Sequence, residues 1–153
     1  MRLCVFLFMF LPVSLCGRNF CEYADKITVY IQDSIDVEGI NNFFVYPYSA
    51  KICNGLVEHR IKEENECCND TIECDLNNCT LNLYNYSITE MSSDSCSKSE
   101  LWFGDVYKIS EYSSLCMAIL TFSCRHYMLY VLFLFDDRNG DLNMSCIYKY
   151  LKV

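Results

Sequence analysis

Cysteine, at twelve of 153 positions, constrains this chain more than any other residue type. That density leaves two states open: thiols oxidised to disulfides outside the cytosol, or thiolates on a metal. The N-terminus favours the first. Arg2 precedes an apolar run from Leu3 to Leu11, closed by Pro12 and followed by Ser14, Cys16 and Gly17. These are the charged, apolar and cleavage regions of a secretory signal peptide, and the run is far shorter than the roughly 20 residues that span a bilayer. Bulky Leu15 fits poorly with lipoprotein cleavage at Cys16. Residues 1–17 are therefore expected to be removed, leaving 18–153 as one secreted, extracellular, disulfide-rich domain.

Cys4 and Cys16 fall in that leader, and the remaining ten are Cys21, Cys53, Cys67, Cys68, Cys74, Cys79, Cys96, Cys116, Cys124 and Cys146. An even number in an oxidising compartment reads as up to five disulfides, each worth about 2 to 4 kcal/mol. Spacing does not fix the pairing, since ten cysteines admit about 945 connectivities. Zinc is the competing explanation for Cys67, Cys68, Cys74 and Cys79, but paired C-x-x-C spacing is lacking there. The two histidines, His59 and His126, do not follow at finger spacing either. No metal site is expected.

Four sequons, at Asn69, Asn78, Asn85 and Asn143, agree with a secreted glycoprotein. The whole chain carries a formal charge of -8, and loss of Arg2 with the leader leaves about -9 by the same count. Nucleic acid and anionic membrane surfaces repel such a protein, so neither is an expected partner.

The C-terminal third carries the strongest β signal. Cys116, Ala118, Leu120, Phe122 and Cys124 alternate with Met117, Ile119, Thr121 and Ser123. Met128 to Phe135 is apolar on both faces, as befits a central strand covered twice. Asn139-Gly140, inside a polar cluster, then predicts a hairpin. In the strand that follows, Leu142, Met144, Cys146, Tyr148 and Tyr150 are placed on one face, with Asn143, Ser145 and Lys149 on the other. A transmembrane helix over Met117 to Phe135 is disfavoured by central Arg125 and His126. Further strands are expected at Lys26 to Ile31 and Asn42 to Tyr48, and in a hairpin in which Asn54-Gly55 joins Ser49–Cys53 to Leu56–Ile61. Thr80 to Ile88 alternates with a phase slip between Leu83 and Tyr84 that suggests a bulge, Leu101 to Ile109 adds one or two short strands, and Glu63-Glu64-Asn65-Glu66 reads as a solvated loop. About eight strands with little helical periodicity predict an all-β domain, an antiparallel barrel or a β-sandwich.

Catalytic motifs are missing, and no cofactor motif is found: there is no G-x-S-x-G, H-E-x-x-H or phosphate-binding glycine loop. Asp136 and Asp137 are paired acids, but they lie in the predicted turn, where backbone reasons suffice. The chain is expected not to be an enzyme. Twelve tyrosines and one tryptophan instead suggest recognition, with Trp102 and Tyr107 as candidate ligand-binding residues at a pocket mouth.

Ile109-Ser110-Glu111-Tyr112-Ser113-Ser114-Leu115-Cys116-Met117-Ala118-Ile119-Leu120, then Cys124, Tyr127-Met128-Leu129-Tyr130-Val131 and Cys146 with Tyr148, resembles the closing hairpin of the tick salivary lipocalins, the histamine-binding-like family. The likeness covers about a quarter of the chain. It implies an eight-stranded antiparallel barrel that sequesters a small mediator, a biogenic amine or a lipid. An acidic, tyrosine-rich pocket would suit a cationic amine through carboxylate pairing and cation–π contact. The alternative is a disulfide-rich module that binds a host protein (a receptor, cytokine, complement component or protease) through an exposed face.

Overall fold

The computed structural model describes residues 18–35, 43–64, 70–89, 99–122 and 127–152. Residues 1–17, expected as a leader, the 36–42, 65–69, 90–98 and 123–126 segments and Val153 lie outside the described residues, and with them Cys67, Cys68, Asn69, Cys96, Cys124 and His126, as do the side chains of Cys146 and Ile147. Described in chain order are helix α1 (Phe20–Ser34), strand β1 (Phe43–Val45), helix α2 (Lys51–Glu63), and strands β2 (Asp70–Ile72), β3 (Tyr86–Ile88), β4 (Ser99–Phe103), β5 (Val106–Lys108), β6 (Ser113–Phe122), β7 (Tyr127–Asp136) and β8 (Asn143–Lys152).

The first helix follows from the spacing of Phe20, Tyr23, Ala24, Ile27, Thr28 and Ile31, all buried on one face. Asn19 caps it, accepting the Glu22 N–H at 3.3 Å, and Glu22 places an acid at the positive end of the helix dipole. A strand at Lys26–Ile31 was expected, and the structure has helix instead: the apolar residues there continue a helical stripe that begins at Phe20. The segment beside α1 is shaped by it. Thr28 Oγ1 accepts the Asn82 N–H at 3.1 Å and Gln32 Oε1 accepts the Tyr84 N–H at 3.2 Å. Those side chains occupy donors that a ladder would use, so the alternating stretch from Thr80 becomes strand only at Tyr86. A Cys21–Cys79 disulfide fastens the two segments together.

The expected hairpin around Asn54-Gly55 is likewise helical. Cys53, Val57 and Ile61 recur every four residues and bury one stripe of α2 against the sheet. Asn54 is consumed by Asp105 rather than by a turn: its Nδ2 donates to Asp105 Oδ2 at 2.7 Å, and its Oδ1 accepts the Asp105 N–H at 2.8 Å. Glu63 ends the helix and Glu64 caps it, so the acidic run is helix in its first half.

Strands predominate and form one sheet, but it is not closed into a barrel. β6 is central. One edge pairs with β7, which pairs with β8, all antiparallel; the other edge pairs with β5 near its start and with β4 near its end. β5 continues to β2, and β4 continues to β1 and β3. β1 runs parallel to both neighbours, so the sheet is mixed rather than wholly antiparallel. The β7–β8 hairpin turns where Asn139-Gly140 predicted it, with Gly140 at φ +82°. Arg18 reaches that turn, donating to Gly140 O at 2.6 Å and pairing with Asp137 at 3.4 Å.

Alternation on β6 and β7 sorts the interior into two cores. Cys116, Ala118, Leu120, Val131, Phe133 and Phe135 face α1, while Leu115, Met117, Ile119, Tyr130 and Leu132 face α2. Helices thus cover both faces of a single sheet, where a sandwich would use a second sheet. A helical Gly55 whose added Cβ would meet nothing within 4 Å makes a direct test. Gly55→Ala should stabilise the protein by about 0.5 to 1 kcal/mol in chemical denaturation. Destabilisation would restore the hairpin expectation.

Candidate functional site

A groove of about 640 Å³ opens between α2 and the β7–β8 hairpin. The buried stripe of α2 leaves an adjacent one, Ile52, Leu56, His59, Arg60 and Glu63, to form the first wall. Met117 and Leu132 lie at the floor, and Tyr130, Tyr148, Tyr150 and Lys152 form the second wall. Its openness is visible in the apolar surface it leaves to solvent: Ile52 is 56% exposed, Leu56 41% and Tyr148 53%. Scattered apolar residues on a surface need no explanation, but these converge on one cleft.

The second wall depends on a bulge. Tyr148 pairs with Leu132 but Cys146 pairs with Phe133, so Ile147 is an extra residue that reverses the phase of β8. Before it, Met144 packs on the α1 side opposite Phe135; after it, Tyr148 and Tyr150 turn to the α2 side. The single-faced alternation expected for Leu142 to Tyr150 is therefore corrected at Ile147. Lys149 takes the α1 side, with its Nζ 4.9 Å from the centre of the Tyr30 ring. Tyr130 and Tyr150 meet across the β7–β8 pair with ring centres 6.0 Å apart, and Tyr130 Oη donates to Met128 Sδ at 3.5 Å.

Charge in the groove differs from charge in the chain. Arg60 and Lys152 face a single acid, Glu63, with His59 counted neutral. Arg60 is bound to Glu64 at 2.6 Å and His59 Nδ1 lies 3.5 Å from Glu63, all near the solvent side. The lining is thus apolar and aromatic at depth and charged at the rim, where Arg60 is paired with Glu64 and Lys152 is the second cation.

Neither Trp102 nor Tyr107 lines this groove. Trp102 stacks on Tyr46 at 3.5 Å and 8°, and its Nε1 donates to Glu100, which also accepts from Tyr46 Oη at 2.8 Å. Tyr107 is buried under the other side of α2, donating to Glu58 at 3.2 Å. Both serve the core that α2 covers. The groove residues escaped notice because their signal was a helical period, Ile52, Leu56, His59, Arg60 and Glu63, read there as a hairpin.

Of the expected disulfide cysteines, Cys21 and Cys79 are joined, whereas Cys53, Cys74 and Cys116 are buried thiols. Burial pushes all three up, Cys53 to about 12, so none is a ready thiolate nucleophile. Asp136 accepts the Arg138 N–H at 3.0 Å and binds its guanidinium, which holds the carboxyl below its usual range and suits the turn role. Among the described residues no group of three or more His, Cys, Asp or Glu is arranged to hold a metal ion, and no helix is long and apolar enough to cross a membrane. The sequon asparagines Asn78, Asn85 and Asn143 are exposed. Comparison with known protein families, characterised proteins and solved structures finds no match to this chain.

The buried thiol at Cys53 carries a pH consequence. Its folded-state value of about 12 exceeds the ordinary 9.0, so the unfolded chain loses this proton first, and the associated stability, complete below pH 9, declines as pH rises towards 12. The urea midpoint should fall over that interval less steeply in Cys53→Ala than in the parent. Identical slopes would contradict the burial.

Proposed function

We propose that this chain is a secreted binding protein that holds a small amphipathic molecule in the groove between α2 and β8, its apolar body against the tyrosine wall and an anionic head at Arg60 and Lys152. The observation that carries this reading is the groove itself: about 640 Å³ with Met117, Leu132, Leu56 and Ile52 supplying apolar surface beside three tyrosines. That volume falls in the range of small-molecule sites, whose apolar linings supply affinity while a few polar groups set orientation.

The placement of charge in the lining favours one of the two ligand classes suggested by the likeness to lipocalins. A cationic amine needs a carboxylate beside the aromatic rings, and Glu63 is the single acid of the lining, opposed by Arg60 and Lys152. A fatty acid or related lipid carboxylate suits this lining, with its chain desolvated on the floor and its head at Lys152 and Arg60 on the rim. The reading moves the ligand from a barrel interior, which an open sheet does not enclose, to a cleft on the sheet's face. The expected leader and sequons, together with the Cys21–Cys79 bridge, suit an extracellular sequestering role.

A second reading rests on the exposure of Ile52, Leu56, Tyr148 and Tyr150, which would also serve a host-protein interface. The two separate in one experiment. Thermal unfolding is followed with a long-chain fatty acid, the matching alcohol and amine, histamine and serotonin. A ligand at 100 times its dissociation constant adds about 2.7 kcal/mol of stability. The fatty acid should give the largest shift, and Leu56→Asp, placed on the exposed wall, should abolish it without altering the unliganded transition much. No shift from any compound would turn the assignment to a protein partner, and an amine shift exceeding the acid's would overturn the anionic head.

A further inference from the structure

Three thiols from separate parts of the chain converge on the break between β4 and β5 at Gly104-Asp105. Cys116, on β6, directs its Sγ to Gly104 O at 3.5 Å. Cys74, in the segment after β2, donates its N–H to Asp105 Oδ1 at 2.8 Å, and its Sγ lies 3.9 Å from Pro47 O. Cys53, on α2, packs so closely beneath the break that a Cβ on Gly104 would come within 2.9 Å of its own Cβ. Asp105 binds two of these segments at once, through Asn54 of α2 and the Cys74 N–H.

The cores divide the three. Cys74 and Cys116 belong to the core shared with α1, whereas Cys53 belongs to the core under α2. We propose that Cys74 and Cys116 form a second disulfide, closed by exchange with a small-molecule or protein disulfide as the chain folds, while Cys53 remains a thiol. In the exchange the two thiols lose two protons and two electrons as their S–S bond forms, and the oxidising disulfide is released as two thiols. Desolvation pushes the Cys116 thiol well above its ordinary value in the folded state. Attack requires a thiolate, so the bond closes before this corner of the core is dry. Once closed, it fixes the Cys74 segment to the central strand and, through Asp105 and Asn54, steadies the helix that walls the groove.

Pairing is tested independently of export by refolding the full chain with reduced and oxidised glutathione. The product is denatured, alkylated without reductant and digested with glutamyl endopeptidase and chymotrypsin. Cleavage after Glu73, Asp75, Glu111 and Phe122 separates Cys74 and Cys116 from the other cysteines. The expected result is a linked pair of peptides containing Cys74 and Cys116, with Cys53 alkylated. Alkylation of both Cys74 and Cys116, or linkage of either to another cysteine, would overturn the assignment.

Discussion

A strand that is apolar on both faces has to be covered twice, and the β6–β7 pair imposes that requirement on everything around it. Val131, Phe133 and Phe135 point one way while Tyr130 and Leu132 point the other, so a sheet with one solvated face would leave a large apolar area in water. The chain meets the requirement with two helices. α1 lies over the larger core, where Tyr23 meets Phe135 and Tyr30 meets Phe133 edge to face at 4.9 and 5.4 Å. α2 covers the other face with a narrower stripe, Cys53, Val57 and Ile61.

The groove is what the narrower cover leaves over. α2 is seated against β6, held at its N-terminal end by the reciprocal Asn54–Asp105 hydrogen bonds, and it stops short of β8. The bulge at Ile147 then turns Tyr148 and Tyr150 into the uncovered strip rather than towards α1. Two local features, one helix position and one extra residue, therefore create an aromatic cleft without any closed barrel. The exposed sequons Asn78 and Asn85 lie beside α1, through the contacts of Asn82 and Tyr84 with that helix, and Asn143 lies at the turn end of the hairpin. Glycans at these positions would leave the open end of the groove, with Tyr150 and Lys152, accessible.

The long C-terminal strands were legible because period-2 alternation in β6, two-sided burial of β7 and the Asn-Gly turn before β8 agree with one another. The β4–β5 region was also legible as one or two short strands, without the place of the break at Gly104-Asp105. The helices were not, and for a physical reason. In α1, apolar residues lie close enough together that Lys26 to Ile31 alternates locally, and only the longer stripe from Phe20 reveals the helix. In α2, the Asn-Gly pair imitates a turn because Asn54 is a good turn residue, although its amide is engaged by Asp105, far away in sequence. A side-chain hydrogen bond of that range has no local signature. The phase reversal at Ile147 is similar, since nothing in Cys146-Ile147-Tyr148 marks an extra residue. Trp102 and Tyr107 stood out by composition, and their polar atoms are satisfied by Glu100 and Glu58 inside the fold.

The most direct measurement is intermolecular nuclear Overhauser contacts between a bound long-chain fatty acid and isotope-labelled protein. Contacts from the acyl chain to the methyls of Leu56 and Leu132 and the rings of Tyr148 and Tyr150, with the carboxyl end near Lys152, are the predicted result. Contacts to Leu101, Phe103 or Phe133 would contradict the account, because they would place the ligand in the α1-side core rather than in the groove.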